Sequence, residues 1–320
     1  MLIFAFRYNF IMGQKPAKKL SQKTVKRNFS TIGLMLVLYV LLVMFMPYCL
    51  HYYMVEFMPS ILKDEYIYYG IYCFIVVFGT LIPFFIMRRF SKLKLRKLAR
   101  AVNASFVDLF VQTIVFFTIC VALTYVSNMI FNYFGLDGKL ISGIGFSYEE
   151  ASLGNLLYIF MLIFVSPLME EYAFRGVLLN SLSRYGKKFA LYATSIIFAL
   201  AHNNFAEMIP AFAMGIALGK TSLRYKSIQP TIIIHILFNA FIFGLCVMPL
   251  SVTKYMTYAL VAICIVAFVL VLTGRYEKIS IQSSQSSSIT NTLFYTRFTI
   301  VLTIILTITY TCLFTFIKLK

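Results

Sequence analysis

The sequence predicts an all-α protein, a polytopic bundle of about eight or nine transmembrane helices, and two observations predict it. The first is composition: 61% of the 320 residues are hydrophobic and 12% are charged, whereas soluble domains are about 45–50% apolar and about 25% charged. The second is distribution, because apolar stretches recur along the whole chain at about the 20-residue length that crosses a bilayer as a helix. We therefore expect an integral membrane protein.

Nine apolar segments account for the predicted spans. The fifth and sixth are short and nearly continuous around Asn203 and Asn204, so they predict either two short spans or one broken span. The chain shows no internal repeat. The segments cover residues 31–50, 66–87, 104–132, 154–181, 189–205, 206–223, 228–249, 254–273 and 293–317.

The net charge of +18 is explained by orientation in the membrane. Acidic residues collect in the loops Glu56–Glu65 and Asp137–Glu150, and alternating spans would place every basic cluster on the opposite side. The positive-inside rule then predicts a cytoplasmic N-terminus and contact with anionic lipid, and it excludes nucleic acid as the partner. The basic clusters are Lys15–Arg27, Arg88–Arg100, Arg184–Lys188, Lys220–Lys226 and Arg275–Lys278.

Four regions are predicted along the chain. Residues 1–30 form a basic cytoplasmic tail, residues 31–150 hold about three spans, residues 151–252 form a polar-residue core, and residues 253–320 hold the last helices with a flexible Ser/Gln-rich linker at 279–292. Met1–Phe10 is too short to span and does not have the order of a signal peptide, so Met1 and Met12 both stay open as the start. The six cysteines form no Cys-x-x-Cys pair and are expected to be small buried apolar residues.

Three ionisable residues of the fourth segment stand out, because a charge at membrane depth costs at least ~2.5–3.5 kcal/mol. Glu171 and Arg175 are four residues apart and lie on one helix face, where they can pair. Glu170 is rotated by about 100°, so one carboxylate can be structural while the other serves chemistry. The alternative is that both acids only pin helices together, with Arg175 as their shared partner.

Two later segments carry polar residues at similar depth. His202 follows Phe198 by four residues, and His235 and Asn239 have the same spacing. At 1.5 Å per residue from the nearest basic residue, Glu170, His202 and Asn239 lie about 20 Å deep and His235 about 14 Å. Three helices would thus bring acid, imidazole and amide into one layer. Taken singly, each residue could instead make an ordinary interhelical contact.

No comparable set of polar residues accompanies Asp108, Glu207 and Lys220 in the sequence. Asp108 is expected to cap or pair near the cytoplasmic end of its span, and Glu207 lies close to the proposed break at Asn203-Asn204, where water is near. We predict structural roles for both acids.

The three motifs resemble the CPBP family, the CaaX proteases and bacteriocin-processing proteins, over about residues 154–250. The family pattern Glu-Glu-x-x-x-Arg, Phe-x-x-x-His, His-x-x-x-Asn occurs in order here. The resemblance implies that Glu170 activates the attacking water and His202 helps to hold it. It also implies that His235 and Asn239 stabilise the oxyanion, and that the pair formed by Glu171 and Arg175 supports them, with Phe198 opening the second motif.

The residues of these motifs leave two possibilities for a cofactor, a divalent metal or none. Glu170, His202 and His235 could bind a divalent metal such as Zn²⁺, but the His-Glu-x-x-His spacing is missing. The best-understood prenyl-protein members of the family resemble glutamate-activated-water enzymes. We therefore expect no metal, and zinc stays the alternative. No serine or cysteine adjoins the histidines in a way that favours covalent catalysis.

The expected function is that of an intramembrane endopeptidase acting on a peptide or membrane protein near the cytoplasmic half of the bilayer. A bacterial cell membrane is the expected location, which makes a prenylated CaaX substrate unexpected and favours bacteriocin or pheromone maturation or self-immunity. The alternative is a non-catalytic membrane scaffold or immunity protein of the same fold. A transporter is disfavoured because no inverted repeat with paired broken helices is present. The sequence carries no signal for oligomeric state.

Overall fold

The computed structural model describes residues 21–93, 106–134, 153–272 and 288–316, and every regular element in these ranges is a helix. The first and fifth helices run continuously through wider turns of π geometry. The helices are α1 Gln22–Phe57, α2 Pro59–Lys63, α3 Glu65–Phe90, α4 Phe106–Tyr133, α5 Gly154–Ser183, α6 Lys187–Leu200, α7 Phe205–Tyr225, α8 Gln229–Val247, α9 Leu250–Leu272, α10 Ser288–Tyr295 and α11 Phe298–Phe316.

The helices confirm the prediction of an all-α polytopic membrane bundle. Within the described ranges, α1, α3, α4 and α5 are long and apolar enough to cross a membrane, and α8 and α11 contain shorter apolar stretches. Eight of the nine predicted segments each coincide with one helix, whereas the ninth, 293–317, contains the end of α10 and the whole of α11.

The question of one broken span or two is answered by α6 and α7. Their helices are separated at Ala201–Asn204, where Asn203 has a φ of 58° and Asn204 caps α7. A Cβ atom on Gly215 of α7 would lie 2.9 Å from Ser195 Cα of α6. The two helices therefore fold back on each other as an antiparallel hairpin, and the single broken span is wrong.

Helix directions follow from paired contacts along α3 and α5. The rings of Tyr69 and Tyr158 are 4.9 Å apart, those of Phe84 and Phe174 are 5.8 Å apart, and the hydroxyls of Ser91 and Ser181 are 2.8 Å apart. The residue numbers of the contacting partners increase together along both helices, so α3 and α5 run parallel.

Helix α1 runs antiparallel to α3 and α5. Tyr39, midway along α1, contacts the rings of both Phe84 and Phe174. Asn28, near the start of α1, donates a hydrogen bond of 2.8 Å to the hydroxyl of Tyr185, just beyond the end of α5.

Basic residues that the structure describes meet at one end of the bundle. Arg184 donates to the carbonyl of Ser91 at 2.8 Å, joining the ends of α5 and α3. At the same end of the α4–α7 pair, Arg224 lies 4.0 Å from Asp108. This gathering is what alternating spans with positive loops on one side predict; the membrane face that this end occupies stays a prediction.

Two predicted boundaries differ from the structure. Helix α1 begins at Gln22 rather than in the thirties, because Ser21 caps it and accepts a hydrogen bond from the Thr24 N–H. The last residues of the predicted 279–292 linker belong to helix α10, whose Phe294 packs against Phe29 and Phe189. The other calls on Met1–Phe10, Met12, Asp137–Glu150 and Arg275–Lys278 lie outside the described residues.

Candidate active site

The first motif lies where α5 changes geometry. Met161–Val165 and Glu171–Leu179 form wide π turns, separated by one short α-helical stretch that ends at Glu170. Between its contacts with Tyr69 and Phe84 of α3, α5 uses one residue more than its neighbour. Wide turns of this kind insert residues without breaking a helix, and they recur at functional sites.

Glu171 is the structural carboxylate of the pair. Its side chain has no exposed surface, and Oε1 accepts hydrogen bonds from Arg175 Nη1 at 2.8 Å and from His235 Nδ1 at 2.9 Å. The guanidinium of Arg175 in turn lies 4.0 Å from the ring centre of Phe198. The expected pairing of Glu171 with Arg175 is present, and it connects α5 to α6 and α8.

Glu170 has a different environment. Oε1 accepts a hydrogen bond from the Ser166 hydroxyl at 2.7 Å. Oε2 is buried, has no hydrogen-bond partner among the described residues, and lies 3.8 Å from His235 Nε2. Glu171 Oε2 also has no hydrogen-bond partner among the described residues. The two carboxylates therefore differ in exposure, 24% for Glu170 against 0% for Glu171, and in the ion pair that Glu171 makes with Arg175.

His235 lies between the two glutamates. Its Nδ1 contacts Glu171 and its Nε2 faces Glu170, while the side chain is almost fully buried. The contact between Nδ1 and Glu171 orients the ring so that its Nε2 edge faces Glu170.

His202 reaches the same region from the end of α6. Its Nδ1 lies 2.8 Å from the carbonyl oxygen of Phe198. Since a carbonyl only accepts, Nδ1 carries the hydrogen and Nε2 keeps its lone pair for a water or substrate proton. The Phe198 ring lies 4.7 Å from His202 and 6.1 Å from His235. Phe198 therefore packs against Arg175 and both histidines.

Asn239 lies one turn beyond His235 on α8 and makes a contact that was not expected. Its Nδ2 donates to the carbonyl oxygen of Leu162 on α5 at 3.0 Å. One amide hydrogen thus ties α8 to α5, and the other stays available for an oxyanion.

The structural roles predicted for two other acids agree with their contacts. Asp108 lies 4.0 Å from Arg224 near the basic end. Glu207 accepts a hydrogen bond of 3.2 Å from Asn204, which itself caps α7 by accepting from the Ala206 N–H. The Asp108 contact lies at the basic end of the bundle, whereas Glu207 is close enough to Glu170 for the two carboxylates to interact electrostatically.

Sequence reasoning missed two members of the site. Ser166 precedes Glu170 by four residues, a spacing that places both on one helix face, yet no role was assigned to it. The carbonyl of Leu162 could not be found from sequence, because main-chain groups inside helices normally have partners.

Glutamate and histidine side chains like those of this site are ligands that Zn²⁺ uses. Within the parts of the chain that the structure describes, no group of three or more histidine, cysteine, aspartate or glutamate side chains is arranged to hold a metal ion.

The segment that carries this geometry matches known proteins. Residues 152–241 match the family model described as type II CAAX prenyl endopeptidase Rce1-like. The membrane-embedded CAAX protease MroQ of Staphylococcus aureus (strain USA300) is 36% identical over 93 residues, which are 27% of this chain and 38% of that protein. Both matches support the resemblance of residues 152–241 to the CPBP family. No solved structure matches the chain.

The matched segment runs from the start of α5 into α8, so it contains all three motifs and the helices that bring them together. The chain spans well under half the length of the relative it matches. The matched segment resembles membrane-embedded proteases, and the long apolar helices indicate an integral membrane protein.

Proposed function

We propose that the chain is an intramembrane endopeptidase that hydrolyses a peptide or membrane protein with water activated by Glu170. One observation carries the proposal: the two adjacent glutamates have unlike environments. Glu171 is fully buried and held by Arg175 and His235, whereas the Glu170 side chain is 24% exposed, accepts a hydrogen bond from Ser166, and has its other oxygen 3.8 Å from His235 Nε2. A scaffold would need the first arrangement but not the second.

The proposed reaction begins with a water between Glu170 and His202. Glu170 takes one proton of the water, His202 Nε2 accepts a hydrogen bond from the other, and the water oxygen attacks the scissile carbonyl carbon. The carbonyl oxygen then carries the negative charge. When the C–N bond breaks, the proton held by Glu170 passes to the leaving nitrogen, so that carboxylate and imidazole return to their starting states.

The negative charge on the oxygen of the tetrahedral intermediate is stabilised by hydrogen-bond donors that are oriented before the reaction begins. In the proposed reaction, the oxyanion accepts hydrogen bonds from the second amide hydrogen of Asn239 and from the Nε2–H of a protonated His235, which lie one turn apart on α8. Fixed donors in a site without bulk water stabilise such an oxyanion by several kcal/mol, typically about 3–4 per donor.

The biological setting is part of the proposal. Similarity to a Staphylococcus aureus protein supports a bacterial cell membrane, with the basic end of the bundle on the cytoplasmic side. The family resemblance favours maturation of a bacteriocin or pheromone peptide, or self-immunity, as the process served.

The test uses the full chain in liposomes with a pool of internally quenched apolar peptides that includes a farnesylated CaaX peptide. Glu170→Gln, His202→Ala and His235→Ala should each reduce cleavage by roughly 100-fold or more, because each removes a base or a donor. Asp108→Asn is the matched control, since it removes an intramembrane acid far from the cluster. Cleavage should persist in EDTA.

The outcomes separate the alternatives. If wild-type protein cleaves nothing, or if Glu170→Gln cleaves as wild type does, the protease proposal is wrong and the scaffold interpretation replaces it. If EDTA abolishes cleavage and Zn²⁺ restores it, the water is activated by a metal rather than by Glu170 alone.

A further inference from the structure

The hydroxyl of Ser166 makes an unusual hydrogen bond for a serine in this bundle. Helical serine and threonine hydroxyls commonly donate to the carbonyl four residues earlier, and Ser183, Ser195 and Thr221 do so here. Ser166 instead donates forward to the Glu170 carboxylate at 2.7 Å.

The carbonyl that Ser166 would otherwise use belongs to Leu162, four residues earlier. This carbonyl accepts a hydrogen bond from Asn239 at 3.0 Å. The main chain supplies it with no donor, because the N–H of Ser166 goes to Met161 and residue 167 is proline, which has no N–H. The Ser166 hydroxyl does not use this carbonyl and donates to Glu170 instead.

This bond determines which way the Glu170 carboxylate faces. A glutamate has three side-chain torsions, and a partly exposed one samples several rotamers. With Oε1 held by Ser166, Oε2 is the oxygen that lies beside His235 Nε2. The oxygen that must take a proton from water is thus presented in one orientation.

We propose that Ser166 is a positioning residue for Glu170, which holds one carboxylate oxygen so that the other faces the attacking water. The inference rests on the proposed function and adds to it a residue outside the three motifs.

The test compares Ser166→Ala with Ser166→Thr and Ser183→Ala, using the quenched peptide that wild-type protein in liposomes cleaves fastest. A hydrogen bond to a charged group corresponds to roughly 10- to 100-fold in rate, so Ser166→Ala should lower kcat by that factor and change KM by less than about twofold. Ser166→Thr retains the hydroxyl and should recover most of kcat. Ser183→Ala, on the same helix, loses only a bond to its own backbone and should match wild type.

The outcomes distinguish the inference from the proposed function. If Glu170→Gln is inactive while Ser166→Ala keeps kcat within twofold, Ser166 has no positioning role and the proposed function stands. If Ser166→Ala and Ser166→Thr fail alike, with helical content lost, the role is structural and the inference is wrong. If wild type cleaves no peptide, both fail.

Discussion

Arg175 offers the sharpest test of the buried network. Its guanidinium is 1% exposed, pairs with Glu171 at 2.8 Å, and packs against Phe198. Removing one partner of a buried ion pair costs about 3–5 kcal/mol, because the other charge is left uncompensated. Since His235 still donates to Glu171, we expect Arg175→Met to destabilise the protein by about 3 kcal/mol, the lower end of that range.

The assay is unfolding by SDS titration in mixed micelles, followed by far-UV circular dichroism. The double variant Glu171→Gln/Arg175→Met leaves no charge without a partner and should recover at least about 1 kcal/mol of the loss. Arg89→Met, at the exposed end of α3, is the matched control and should stay within about 0.5 kcal/mol of wild type. If Arg175→Met costs less than about 1 kcal/mol, or if the double variant is no better, the pair does not stabilise the core as argued.

Two further predictions concern packing and orientation. Gly33→Ala should destabilise the protein by about 1–3 kcal/mol in the same assay, because the new Cβ would overlap the Thr299 side chain. Gly70→Ala meets open space and should be neutral or stabilising. Equal effects of the two variants would show that the α1–α11 contact is not tight. Lys188→Cys should react with a membrane-impermeant thiol reagent only after the cells are opened, and Lys63→Cys should react on intact cells, in a cysteine-free background; the reverse pattern would invert the proposed topology.

Most of the architecture could be predicted from the sequence, for a physical reason. Composition decides the solvent, and the helical period is set by hydrogen bonds between near neighbours in the chain. Both are local properties. They placed Glu171 and Arg175 on one face, and they placed helices at all nine apolar segments. The ends were less well predicted, because caps such as Ser21 depend on single side-chain contacts.

Local reasoning did not extend to the contacts between helices. Depth counted along each helix predicted one layer, and the structure does bring His235 to both glutamates. The partner of Asn239, however, depended on a π turn and a proline acting on a carbonyl of another helix. A single extra residue in a π turn rotates every side chain beyond it about the helix axis. Rules based on regular i, i+4 spacing do not account for such an inserted residue.

What the sequence by itself determined was the membrane setting, the helices, the three motifs, and the pairing of Glu171 rather than Glu170 with Arg175. Only the tertiary structure decided that Ser166 holds Glu170 and that His235 lies between the two carboxylates. It also decided that α6 and α7 fold back as a hairpin. The first group follows from neighbours in the chain, and the second from packing between helices, which depends on distances of a few ångströms.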